Sequence, residues 1–204
     1  MGGRIMPAND SNYIIQPHPE TGMFDAKLGI WLFLASEIML FAALFSAYIL
    51  LRISASNWPH QHEVMNVPVG LINTMVLISS SWTMVMAWSS LKRGYFNVYR
   101  RYLGTTIILG FCFLVIKGYE YTIHIHHHLY PSSNVFMGLY YTMTGMHALH
   151  VIGGLIVNSY LWGPGRRLWF SDGQRLVNRV ETAGLYWHFV DIIWLFLLPT
   201  LYLI

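Results

Sequence analysis

A chain of 204 residues that is 55% hydrophobic and only 10% charged is not built like an ordinary soluble domain, where about a quarter of the residues are charged. A mean hydropathy of +0.45 and repeated apolar runs of about 20 residues place it in the membrane class, and a single cysteine, Cys112, excludes an internal disulfide or a thiolate metal cluster. The formal charge of +3 does not point to nucleic acid, because the basic residues gather in two loops between apolar runs.

The first 26 residues are polar, carry Pro7, Pro17 and Pro19, and lack the apolar core of a signal peptide. They read as a cytoplasmic tail, 1–26, ahead of a single transmembrane domain, 27–204. Five apolar runs follow, at about 28–51, 69–91, 103–123, 135–162 and 182–204. At about 1.5 Å per residue each can cross a hydrocarbon core of about 30 Å. The expected fold is therefore an all-α bundle of five transmembrane helices. Its orientation follows from the basic residues. Lys92, Arg93, Arg100 and Arg101 lie after the second run, and Arg166, Arg167, Arg175 and Arg179 after the fourth. The segments 53–67 and 124–134 hold neither Lys nor Arg. The positive-inside rule puts the N-terminus inside and the C-terminus outside. Arg52 breaks the pattern and is expected to snorkel to the headgroups.

Polar groups inside the runs are few. The first run carries Glu37 about ten residues in, hence about 15 Å deep. No Lys or Arg shares that run, so two solutions fit. Either the acid is neutral and donates a hydrogen bond, which the absence of a cation favours, or it pairs with a histidine from the fourth or fifth run. The second run carries Asn73, Thr74, Ser79, Ser80 and Ser81, read as hydrogen-bonding glue between helices. The third places Lys117, Glu120 and His124 on one face, where a Lys–Glu pair three apart can neutralise itself. The fourth holds His147, His150 and Gly154 on a shared face, with Gly145, Gly153 and Gly154 allowing a neighbour to approach closely. In the fifth, Glu181, Gly184, His188, Asp191 and Leu195 fall on one stripe at helical spacing. Glu181 fits an acid at the start of a helix, favoured by the helix dipole. His188 and Asp191 lie two to three turns deeper, where an ionisable group costs about 2.5–3.5 kcal/mol on insertion scales and faces protein or water.

Several chemistries could use these groups. His147, His150 and His188 could bring imidazoles to a haem from two helices, but two histidines three apart on one helix do not define a site. The run His124, His126, His127 and His128 reads as a solvated turn that could bind stray divalent metal. Buried carboxylates beside histidines also suit a proton route or buffer, although no ladder of acids crosses the bilayer. Hydrogen bonding between helices, or from a helix to lipid, accounts for them equally well.

The wording of these segments is also similar to a known family. Trp31-Leu32-Phe33-Leu34-Ala35-Ser36-Glu37, Asn73-Thr74 with the serine run, Lys117-Gly118-Tyr119-Glu120-Tyr121, Thr144-Gly145-Met146-His147-Ala148-Leu149-His150-Val151 and Tyr186-Trp187-His188-Phe189-Val190-Asp191 occur in order. Together they resemble subunit III of haem–copper respiratory oxidases, in its short five-helix bacterial form, over about residues 27–204. Lys117 departs from longer members, which often carry Gln there. The resemblance implies a subunit with no cofactor of its own, in the bacterial cytoplasmic membrane, packed on catalytic subunit I and other oxidase subunits. Haem and copper would sit in those partners, where electrons from cytochrome c or quinol reach dioxygen and protons are pumped. This chain would hold phospholipid in a cleft and sustain proton uptake and the enzyme's working life. The residues to which lipid or proton-related roles would fall are Glu37, Glu120, His147, His150, Arg166, Arg167, Glu181, His188 and Asp191. The alternatives are an accessory subunit of a nitric oxide reductase, and a stand-alone haem-binding or proton-conducting membrane protein.

Overall fold

The structure is a computed structural model that describes residues 25–55, 58 and 66–203. The expected tail lies almost wholly outside the described residues. Among the described residues there are six α-helices and no strand: α1 (Asp25–Ser54), α2 (Val67–Lys92), α3 (Phe96–His126), α4 (Val135–Trp162), α5 (Arg166–Ser171) and α6 (Gly173–Leu198). A π turn, Pro199–Leu203, continues α6. Helices α1, α2, α3 and α6 are long and apolar enough to cross a membrane. Helix α4 matches them in length with 28 residues, but its tyrosines, threonines, histidines and glycines lower its hydropathy.

Two helices begin seven or more residues before their apolar runs. Asp172 caps α6, its carboxylate accepting from the Arg175 amide at 3.0 Å, so the helix starts nine residues before 182. Its first two turns carry Gln174, Arg175, Asn178 and Arg179, a polar stretch that is helical without being apolar. Glu181 is thus in the third turn, and the expectation of a helix-start acid is corrected. Helix α3 likewise starts at Phe96 and not 103, after a turn in which Gly94 takes a φ of 85°, a left-handed conformation that favours glycine. Asn134 caps α4, accepting from the Met137 amide at 2.7 Å, at the expected position.

Helices α2, α3, α4 and α6 form a ring in which α2 pairs with α3 and α6, and α4 with α3 and α6. Two tryptophans of α6, one heptad apart, fill its centre. Trp187 donates to Ser80 Oγ of α2 at 3.0 Å, and its ring lies against Gly110 of α3 and Gly154 of α4. Trp194 donates to Thr74 Oγ1 of α2 at 3.0 Å and meets Phe113 of α3 edge-on at 4.9 Å. The serine run behaves as interhelical glue: Ser80 also donates to the Thr106 carbonyl at 3.3 Å.

Helix α1 stands outside the ring and leans on α4 and α6 through one stripe at heptad spacing, Leu34, Phe41 and Tyr48, all buried. The Tyr48 hydroxyl donates to the Thr200 carbonyl at 2.9 Å. Its other apolar residues, among them Leu32, Met39, Leu50 and Ile53, are exposed, as suits a helix solvated by lipid or by another chain.

Candidate functional site

The predicted polar residues divide into three groups around α6. The first lies between α1 and α4. His150 Nε2 stands 2.9 Å from Glu37 Oε2, and His150 Nδ1 is 2.8 Å from the Met146 carbonyl. A carbonyl can only accept, so Nδ1 carries a hydrogen. The carboxyl and Nε2 therefore share one further proton, as a neutral acid donating to the imidazole or as a carboxylate facing an imidazolium. In either form the pair is neutral overall, which is why an acid persists at this depth. Both expected solutions, a neutral acid that donates a hydrogen bond and a carboxylate held against a histidine, find their partner in His150. Phe41 covers the imidazole edge-on at 5.3 Å, and Tyr186 donates to the His150 carbonyl at 3.0 Å.

Beside this pair opens a cleft of about 560 Å³ between α1, α4 and α6. Phe33, one turn before Glu37, and Gly153, three residues past His150, belong to its lining. Ile30, Val157 and Tyr186 complete a long apolar wall, and Arg179 stands at one end. Near that end Lys27 and Glu181 form an ion pair at 2.8 Å. The apolar runs assign Arg179 only to a basic loop and leave Lys27 out, because each sits just outside the run that carries its neighbours. Arg166 and Arg167 open α5, and Arg167 is exposed.

The second group is buried among α3, α4 and the π turn. Lys117 Nζ donates to Glu120 Oε2 at 3.0 Å, to the Tyr140 hydroxyl at 3.0 Å and to the Tyr202 hydroxyl. The two tyrosines donate in turn to Glu120 Oε1, Tyr140 at 3.0 Å. All three ammonium hydrogens are used, and the ion pair is enclosed at 4% exposure on each side chain. The rings of Tyr121, Tyr140, Trp194 and Tyr202 box the ammonium at 4.9–5.7 Å.

The third group lies along α2 and α6. Ser81 Oγ is 2.5 Å from His188 Nδ1, and Asp191 lines a cavity with them. The predicted stripe is real, since Glu181, Gly184 and His188 border one cavity and His188, Asp191 and Leu195 the next. His147, by contrast, parts from His150. It is buried in the ring, edge-on to Phe113 at 5.6 Å and beside Trp194 at 5.2 Å, with neither ring nitrogen hydrogen-bonded. The shared face of His147 and His150 therefore serves two different neighbours. With His147 walled by aromatic rings, His150 held by Glu37 and His188 by Ser81, the three imidazoles do not converge on a haem. Among the described residues no three His, Cys, Asp or Glu side chains gather to hold a metal.

Comparison with known proteins decides the family. The family model of cytochrome c oxidase subunit III matches residues 10–204. The chain belongs to the cytochrome c oxidase subunit III family. It is 34% identical to cytochrome c oxidase subunit 3 of Bacillus sp. (strain PS3) over 86% of this chain and 84% of that one. With the Bacillus subtilis protein of the same name it shares 35% identity over 91% and 90%. It is also similar, at 32% identity over 87% of its own length, to a heme-copper oxidase subunit I+III of Aeropyrum pernix, of which it covers 22%. Family membership makes the chain an accessory subunit of a haem–copper oxidase and removes the stand-alone haem protein and proton carrier from consideration. The resemblance first read from five short motifs thus extends over nearly the whole chain.

Proposed function

We propose that this subunit III is a five-span membrane protein with its tail and basic loops on the cytoplasmic side and its C-terminus outside, in a bacterial cytoplasmic membrane. Its partners are the catalytic subunit I, which carries haem and copper, and the other oxidase subunits, with cytochrome c or quinol as donor. Helix α4, flanked by α3 and α6, is the fifth span. The fused subunit I+III relative supports close packing of the two subunits. Related subunits of nitric oxide reductases remain the second reading only for a chain found with such a partner.

Within the complex the chain keeps phospholipid and sustains proton uptake during turnover. The observation that carries this reading is the apolar cleft with Arg179 in its lining and the Glu37–His150 pair beside it. An acyl chain matches the wall, and a phosphate matches Arg179. Arg166 and Arg167, at the start of α5, are further candidates for headgroup contact. A basic residue near anionic headgroups contributes about 1 kcal/mol. Arg179→Gln should therefore lower the phospholipid retained per purified complex by about fivefold at limiting lipid. Equal retention, read by lipid mass spectrometry, would count against the cleft as a lipid site.

Glu37→Gln tests the proton-related part. The amide keeps a donor and an acceptor toward His150 but cannot share the proton. The complex should assemble normally yet lose activity faster during sustained oxygen consumption. A working life equal to the unaltered complex would make Glu37 a structural tie between α1 and α4.

A further inference from the structure

The groove between α2 and α6 contains a buried carboxylate with no more than one serine hydroxyl to accept from. Asp191 is 6% exposed, and at least one of its oxygens accepts no hydrogen bond. Ser81 is its hydrogen-bonding neighbour, but that hydroxyl also lies 2.5 Å from His188 Nδ1 and has one hydrogen to give, so it can serve at most one of the two carboxylate oxygens. Thr74 is no help, since it accepts from Trp194 and donates to the Gly70 carbonyl at 2.8 Å. Asp191 lies ten residues beyond Glu181, hence about 15 Å further along the helix, in its most apolar part. It borders an open cavity of about 360 Å³ whose remaining walls are chiefly Leu77, Ile78, Ile192, Trp194 and Leu195. Ile78, Ile192 and Leu195 are exposed at the rim.

The chemistry of this groove selects its occupant. A lipid tail has no donor, and an unsatisfied polar group in hydrocarbon costs several kcal/mol. Water needs two to four polar partners for each molecule; Thr74, Ser81, His188 and Asp191 can hold one, but the aliphatic wall of Leu77, Ile78, Ile192 and Leu195 cannot hold the further waters that would fill the cavity. A side chain with an apolar stem and an N–H or O–H tip satisfies both walls and floor. We propose that the α2–α6 groove docks a transmembrane helix of a partner oxidase subunit, one of whose long donor-tipped side chains (arginine, lysine, tryptophan or tyrosine) enters to hydrogen-bond Asp191. The proposal rests on the reading of this chain as an oxidase subunit and adds where, and by what contact, the partner is held.

The experiment uses the whole complex in native membranes. A photo-crosslinking amino acid replaces Ile192 at the rim, leaving Asp191 intact, and the tagged chain is purified after irradiation. The expected product is a covalent adduct with a second membrane subunit of the oxidase. Asp191→Leu in the same background should lower its yield at least fivefold, whereas Asp191→Asn, which keeps an acceptor oxygen, should retain most of it. Adducts to lipid alone, to a second copy of this chain, or to no protein would overturn the docking site. So would an adduct yield unchanged by Asp191→Leu in a chain that still reaches the membrane. If Asp191→Leu does not accumulate, the Ile192 adduct decides. Haem co-purifying with the tagged chain separates the two levels: haem present with lipid adducts only removes the docking site, and haem absent removes the oxidase reading beneath it.

Discussion

Glu120→Leu is expected to destabilise the isolated chain in detergent by about 3–5 kcal/mol, the usual cost of removing one partner from a buried ion pair. The substitution leaves the Lys117 ammonium in the ring with two tyrosine hydroxyls and no anion. It also loosens the π turn, because the Tyr202 hydroxyl loses its acceptor Glu120 and keeps only the Lys117 contact, while the Tyr48 contact to Thr200 still ties α1 to the turn. The double variant Lys117→Met with Glu120→Leu should recover most of the loss, since an apolar pair of similar volume often replaces a buried ion pair at little cost. The two tyrosine hydroxyls, 3.5 Å apart, can then turn to each other. Thermal unfolding of both variants checks this. A double variant no more stable than Glu120→Leu would mean that the pair does not act as a unit.

How far the sequence disclosed this arrangement differs from group to group. Hydropathy located the apolar parts of the helices, but it reads the solvent around a helix and not the helix itself. It therefore missed the polar turns of α6 that Asp172 caps, and with them the position of Glu181 and the role of Arg179. Local spacing was enough for Lys117 and Glu120, three residues apart on one face. It could not show that Tyr140 and Tyr202 close the same cluster, because those contacts span 23 and 85 residues. The partner of Glu37 was narrowed to a histidine of two later runs, and His150 rather than His188 is the one in reach. The absence of a nearby cation favours a neutral acid that donates a hydrogen bond, and a histidine 113 residues away is the group such an acid reaches. The charged and polar stripe of α6 was legible, whereas the face that holds the bundle together was not singled out. Its signal was present in two tryptophans seven residues apart on the helix that also carries the stripe.

That tryptophan face supports the other large effect. Trp187 is 1% exposed, and through one side chain α6 touches α2, α3 and α4. Trp187→Ala should cost about 3–5 kcal/mol, as for other buried aromatics. The glycines opposite it are equally constrained. A Cβ on Gly154 would lie 2.7 Å from two ring carbons of Trp187, and one on Gly110 would lie 2.8 Å from a third. The ring is wedged between α3 and α4 and cannot swing aside, so Gly154→Ala should cost about 1–3 kcal/mol as overpacking, despite the better helix propensity of alanine. A Cβ on Gly145, in the same helix, would meet nothing within 4 Å, and Gly145→Ala should be neutral or slightly stabilising. Combining Gly154→Ala with Trp187→Phe relieves the clash while forfeiting the hydrogen bond to Ser80. The double variant should therefore be less destabilised than the sum of its two single changes. Thermal unfolding of these variants in one detergent measures all three relations, and strict additivity at Gly154 and Trp187 would show that the ring does not set the spacing of α4 and α6.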